Sequence, residues 1–151
     1  MSQDINFIKA EKLARVICNK SVEYSPQFRF SQTSTTIKAH SHWAETVHEI
    51  AHWIACDPEY RHLDNLGFSV ERELNNKRMH YEESVALIIT KLLADNFFEQ
   101  DLETRKYIEY MDNRSQEISN DWKFDQENIK QTAQKLFNQH TCQVKDLALE
   151  I

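Results

Sequence analysis

Helical spacing dominates the hydrophobic pattern of this chain, interrupted by one stretch of a different character. Residues 6–18, "NFIKAEKLARVIC", place Phe7, Ile8, Leu13, Val16 and Ile17 at the helical period, with Asp4 or Asn6 available as a cap. The next segment, "SVEYSPQFRFSQTSTTIKAHS", is rich in Val, Phe, Tyr, Thr and Ile and partly alternates, which predicts two short strands over 22–30 and 34–39. They would form a ribbon or part of a three-stranded sheet. Ser41 then precedes a helix over 42–56, in which Val47, Ile50, Ala51, Ile54 and Ala55 repeat periodically, and Pro58 discourages its continuation.

Residues 57–76 read as irregular, with Gly67 at a turn. A long helix over 78–97 follows. Its "SVALIITKLLADNFF" is apolar on most faces, the mark of a central core element. Charged amphipathic helices near 101–111, 113–120 and 125–139 complete the chain, with Trp122 and Phe124 pinning the last connection and Leu136 and Phe137 anchoring the last helix. The expected fold is α+β: one mostly helical domain over 1–151, with the 42–56 helix packed on the 78–97 helix beside a small sheet from 22–39.

Composition narrows the function classes. A length of 151 residues suits one domain with a real core. The net charge of −6, from 24 acidic against 18 basic residues, opposes nonspecific binding to nucleic acid. A single glycine rules out Gly-rich phosphate loops and dinucleotide fingerprints. Cys18, Cys56 and Cys142 form no C-x-x-C pair, so neither a thiolate metal site nor a disulfide framework is signalled, and a reducing compartment is expected. No segment reads as a secretory leader or a membrane span, so the expectation is a cytoplasmic protein without membrane or nucleic-acid partners.

The chemistry concentrates in "ETVHEIAHWIA", residues 45–55. On a helix, His48 and His52 project from the same side one turn apart, a spacing that suits two imidazole ligands of a tetrahedral zinc ion. Glu49 lies about 100° around the helix, off the ligand side but within reach of a water on the ion, where it can act as general base. Two core or surface histidines beside a solvated glutamate would give the same pattern. A third ligand would separate the two readings, and "HYEESVALIITKLL" offers Glu82 and Glu83 at the start of the most apolar helix. Acids at a helix start can also merely complement its dipole, worth ~0.3–1 kcal/mol. Counting faces places Glu82 with Val85, Ala86 and Ile89, and Glu83 with Ala86, Leu87 and Thr90, a slight preference for Glu82 as the inward carboxylate. His80 is a further candidate close by.

The stretch "HEIAHWIACDPEYRHLDNLGF" resembles the H-E-[IL]-[AGS]-H-W signature, with its downstream arginine and glycine segment, of the elongation factor P hydroxylase family and of small phage and bacterial H-E-x-x-H proteins. It is more distantly similar to gluzincin-like peptidases. The match covers residues 48–68, with a weaker one at "YEESVAL". The resemblance implies a divalent metal on His48 and His52, Glu49 as the base, and a third carboxylate that transfers best onto Glu83, then Glu82. After its glycine the chain departs from the hydroxylases, running "FSVERELNNKRM" where they carry an aromatic Y-W-Y and a P-D-G-R segment. The resemblance therefore bears on the metal scaffold more than on one substrate.

Around this nucleus, Arg61 and His62 are candidates for stabilising an oxyanion, and Tyr60 for donating a proton. His40 and His42 could support the ligands from outside. Trp43 and Trp53 read as hydrophobic anchors. The leading expectation is a zinc-dependent hydrolase, a peptidase acting on a protein substrate. The same ligand set also describes the iron site of an oxygenase, so an Fe2+-dependent hydroxylase is the alternative. A third reading is a phage-type inhibitor or regulator that binds a host protein without catalysis.

Overall fold

A computed structural model describes residues 2–25, 31–32, 35–39, 43–56, 76–98, 101–142 and 144. The chain is mostly helical with a small sheet, the α+β class expected. It runs through α1 (Ser2–Leu13), a π-helical turn (Ala14–Cys18), β1 (Ser21–Tyr24), β2 (Ser31–Gln32), β3 (Thr36–Ala39), α2 (Trp43–Ala55), α3 (Asn76–Phe97), α4 (Leu102–Trp122) and α5 (Gln126–Thr141). No helix among the described residues is long and apolar enough to cross a membrane.

The sheet has the order β1-β3-β2. β1 and β3 run parallel, pairing Val22 with Ile37 and Tyr24 with Ala39, while β2 pairs antiparallel with β3. Ile37 and Ala39 are fully buried and their neighbours Thr36 and Lys38 are not, the alternation of a strand with one covered face. That face packs on α2. A polar contact fixes the docking: the Thr46 hydroxyl of α2 donates to the Tyr24 hydroxyl of β1 at 2.7 Å. Burial pushes the Tyr24 phenol up to about 12, the Thr46 hydrogen bond opposes this, and the charges of Glu11 and Glu45 add to the rise.

α3 is the central element, in contact with α2, α4 and α5. Residues 84–90 of α3 are buried in succession, so it has no solvent face over two turns. Ile89 and Leu93 are fully buried, each contributing ~1.5–3 kcal/mol. They join Val47, Ile50 and Ile54 of α2 and Ile129, Ala133 and Phe137 of α5 in one cluster. Leu87 turns instead toward Met111 and Ile118 of α4. Between α3 and α4 lies a buried polar seam: Ser84 and Ser115 share a 2.7 Å hydrogen bond, and each hydroxyl also reaches the other residue's carbonyl at 3.2 Å.

Several boundaries differ from the sequence reading. α1 begins at Ser2, so Asp4 and Asn6 lie within the helix rather than capping it, and Asn6 is buried. Strand β1 runs Ser21–Tyr24, so of the segment read as strand 22–30 Ser25 is not strand and 26–30 lie outside the described residues. The stretches 101–111 and 113–120 are one helix, α4. Ile108, Met111, Ser115 and Ile118 hold a continuous buried stripe across the suspected break. α4 starts at an N-cap, Asp101, whose carboxylate accepts from Thr104 N at 2.8 Å, and ends at Lys123 with φ 59°. There the amide of Phe124 closes onto Ser119 O at 2.8 Å, the job usually given to a glycine-capped terminus. Asn19, with φ 56°, ends the π-helical turn in the same way.

Candidate metal centre

α2 forms from a segment without glycine or proline, and its burial is broad. Val47, Ile50, Ala51 and Ile54 enter the core, while Thr46, Glu49 and His52 are also buried. The second histidine of the motif therefore faces protein, not solvent. His48 and His52 meet edge to face, with ring centroids 4.6 Å apart and planes at 82°. Side chains one turn apart on a helix are neighbours, which brings the two rings into contact.

Glu83 of α3 completes the group. Its Oε1 lies 3.1 Å from His48 Nε2 and its Oε2 lies 3.1 Å from His52 Nε2. The ligand atoms of these three residues all fall within 4.8 Å of one another, and together they could hold a metal ion. The His48 and His52 side chains are 12% and 7% exposed, against 30% for Glu83, so the group is closed on the α2 side and reaches solvent on the carboxylate side.

Glu82, the residue slightly favoured by face counting, is buried at 8% exposure but stands outside the three-residue group. Periodicity correctly read Glu82 as the more buried of the two. Coordination depends on something else: which side of α3 faces α2. Because α3 begins at Asn76, both glutamates also sit well past its first turn, beyond the reach of the helix-terminus effect.

The other nitrogen of His48 is engaged as well. Nδ1 lies 3.1 Å from the Thr90 hydroxyl, and that hydroxyl donates to the Ala86 carbonyl at 2.7 Å. His52 differs: its buried Nδ1 has no hydrogen-bond partner among the described residues.

The electrostatics follow from this crowding of acids around imidazole. Burial alone would lower the His52 pKa. The adjacent Glu83 carboxylate overrides it, through charge and hydrogen bond, and Glu49 and Glu82 add to the effect, lifting His52 to about 10. For Glu83, burial acts to raise the pKa, but His52 and His48 hold the carboxyl well below its ordinary range. The cluster is strongly attractive to positive charge, whether carried by protons or by a cation.

α4 contributes a residue that the sequence reading missed. Burial first, and then the charges of Glu45, Tyr110, Glu83 and Glu49, hold the Tyr107 phenol above its ordinary range. A tyrosine on a charged amphipathic helix gives no sequence signal of facing a carboxylate cluster. Face counting put Thr90 on the side of α3 that carries Glu83, but nothing in the sequence marked it as a partner of His48.

The remaining sequence candidates divide into two sets. Glu49 is 6% exposed, and its charge acts on both His52 and Tyr107. His80 stacks on Trp122 with centroids 4.5 Å apart and is not part of the three-residue group. Trp43 is buried and stacks on Phe98, an anchor as expected, and Trp53 sits edge-on to His140. Arg61, His62, Tyr60, His40 and His42 lie outside the described residues. Cys18, Cys56 and Cys142 are free thiols, the first two buried.

Comparison with protein-family models, with curated proteins and with solved structures returns no match to this chain.

Proposed function

We propose that the protein is a mononuclear zinc-dependent hydrolase acting on peptide bonds, with His48, His52 and Glu83 as its metal ligands. The observation that carries the reading is the convergence of two imidazole Nε2 atoms on one carboxylate at 3.1 Å each. In a tetrahedral zinc site, ligand atoms ~2.0–2.1 Å from the ion lie roughly 3.3 Å from one another; here each Nε2 is 3.1 Å from its own Glu83 oxygen and the three ligand atoms fall within 4.8 Å of one another. Two nitrogens and one carboxylate also form the ligand set of catalytic zinc sites, which leave a fourth position for water or substrate.

When bound, zinc supplies Lewis acidity and lowers the pKa of a coordinated water toward ~7. Glu49, on α2 between the two histidines, would take the proton of the attacking water and return it to the leaving amine. Tyr107, whose phenol is held in its neutral form by burial and by the charges of Glu45, Glu83 and Glu49, would serve as a hydrogen-bond donor to a developing oxyanion. An extended peptide fits the architecture because β1 and β2 are the outer strands of a sheet packed on α2, and an outer strand can pair with added chain.

A second reading has its own support. Two histidines and one carboxylate are also the facial triad of iron oxygenases, and the resemblance of residues 48–68 to the elongation factor P hydroxylase family points the same way. The deciding experiment begins with metal analysis of protein purified without added metals, alongside His48→Ala. Stoichiometric zinc that His48→Ala abolishes supports the hydrolase. Iron with oxygen-dependent mass gain on a host protein supports the oxygenase. A wild type without metal overturns both, leaving a binding role without catalysis.

A further inference from the structure

The hydroxyl of Thr90 is 1% exposed and touches two polar atoms, the Ala86 carbonyl at 2.7 Å and His48 Nδ1 at 3.1 Å. A hydroxyl has one proton to give. A carbonyl can only accept, and it is the nearer partner, so the Thr90 proton goes to Ala86. The oxygen then faces His48 Nδ1 as an acceptor and requires a proton on that nitrogen. A neutral imidazole protonated at Nδ1 carries its lone pair on Nε2, the atom aimed at the Glu83 carboxylate.

We infer that Thr90 is a positioning residue that fixes the tautomer of His48, keeping the proton on Nδ1 so that Nε2 is the atom offered to a cation shared with His52 and Glu83. The inference rests on the metal reading above and adds what the ligand list lacks, the reason one imidazole presents the correct nitrogen. In a neutral, metal-free ring the Nε2 lone pair then faces a carboxylate oxygen across 3.1 Å, a repulsion that the Thr90 hydrogen bond must outweigh and that a cation between the two atoms would relieve. His52 has no such support among the described residues, so the two histidines are not equivalent. His48 is set in advance by α3. His52 is oriented by its own burial and by Glu83.

The alternative hydrogen-bond direction is specific. If Thr90 donated to Nδ1 instead, the proton would sit on Nε2 and point at Glu83, and a metal would have to displace it. The two arrangements differ in imidazole nitrogen shifts. The test compares wild type, Thr90→Val and Thr90→Ser. Zinc affinity is measured by competition with a chromophoric chelator, and the His48 tautomer by long-range proton–nitrogen correlation in chelator-treated protein at alkaline pH. The expected result is an Nδ1–H tautomer in wild type and Thr90→Ser, its loss in Thr90→Val, and zinc binding about 10–100-fold weaker in Thr90→Val alone. A purely packing role would weaken metal binding while leaving the proton on Nδ1. The inference is overturned by that outcome, by an Nε2–H tautomer in wild type, or by undiminished zinc affinity in Thr90→Val. A wild type that binds no zinc overturns the metal reading instead, and the tautomer alone then decides the role of Thr90.

Discussion

Glu83 and Thr90 stand two turns apart on one face of α3 and engage opposite nitrogens of the same imidazole, His48 Nε2 and Nδ1, at 3.1 Å each. The ring of the first motif histidine is therefore held along α3, though its backbone belongs to α2. The helix pair, more than the H-E-x-x-H segment itself, makes the centre.

The two adjacent glutamates of α3 should separate cleanly. Glu83→Gln removes a ligand charge and should weaken zinc binding by more than roughly 100-fold, since even outer partners are worth ~10–100-fold. Glu82→Gln should leave stoichiometry intact. Isothermal titration with zinc on both variants checks the assignment; equal losses would place the two carboxylates on the same footing.

Glu49→Gln preserves shape and removes the proton acceptor. Metal content should stay at the wild-type level while turnover falls by roughly 10²–10⁴. New protein N-termini in a host lysate, counted by mass spectrometry with wild type and variant side by side, supply the measurement. Loss of metal in the variant would show Glu49 to be a ligand.

Metal-free protein should show a pH-dependent contribution from the His52–Glu83 pair. The His52 pKa is raised in the fold from 6.5 to about 10, so its stabilisation is complete below 6.5 and is lost as pH rises toward 10. The Glu83 pKa is depressed, so its stabilisation is present above its ordinary value of 4.5 and is lost as pH falls below it. The stability difference between wild type and Glu83→Gln, from urea midpoints in chelator, should therefore be largest near about pH 5.5 and shrink by about pH 9.5. A constant difference across that range would contradict the pairing.

The serine seam between α3 and α4 offers a test of the fold independent of the centre. Ser84→Ala or Ser115→Ala alone leaves a buried hydroxyl with a lost partner and should cost ~1–3 kcal/mol. The double variant should cost less than the sum, as a double-mutant cycle on urea unfolding would reveal. Additive losses would mean that the two hydroxyls act independently.

Residues bearing strong periodic signals were readable from sequence, and those whose role depends on a neighbouring helix were not. The helices around Val47, Ile50 and Ile54 and around Val85, Ile89 and Leu93 were legible because long apolar repeats without glycine or proline leave few alternatives. The break read at Asp112, between the stretches 101–111 and 113–120, is absent because packing of Met111 and Ser115 on α3 carries the helix through. Asp112 itself sits 3.9 Å from Lys91, but both side chains are well exposed and the pair adds little. At the centre, the spacing of His48 and His52 was informative because both lie on one helix. The resemblance pointed to Glu83, but face counting leaned to Glu82; settling that from periodicity, or noticing Thr90 and Tyr107 as neighbours of the centre, required the rotation of α3 and α4 about their axes, which only tertiary packing sets.

The division of the proposed ligands between α2 and α3 has a consequence for the order of events during synthesis. The motif helix leaves the ribosome first, carrying two imidazoles and no carboxylate partner in place. Glu83 and Thr90 follow later, by roughly two to seven seconds at ~5–20 residues per second. Throughout that interval the nascent chain carries a histidine pair that any borderline divalent ion, Cu2+ or Ni2+ as readily as Zn2+, could occupy. Selectivity for the correct ion can be imposed only when α3 arrives with an oxygen ligand and locks the His48 ring. Metal choice would then be made by the last piece to dock, not by the motif that announces it.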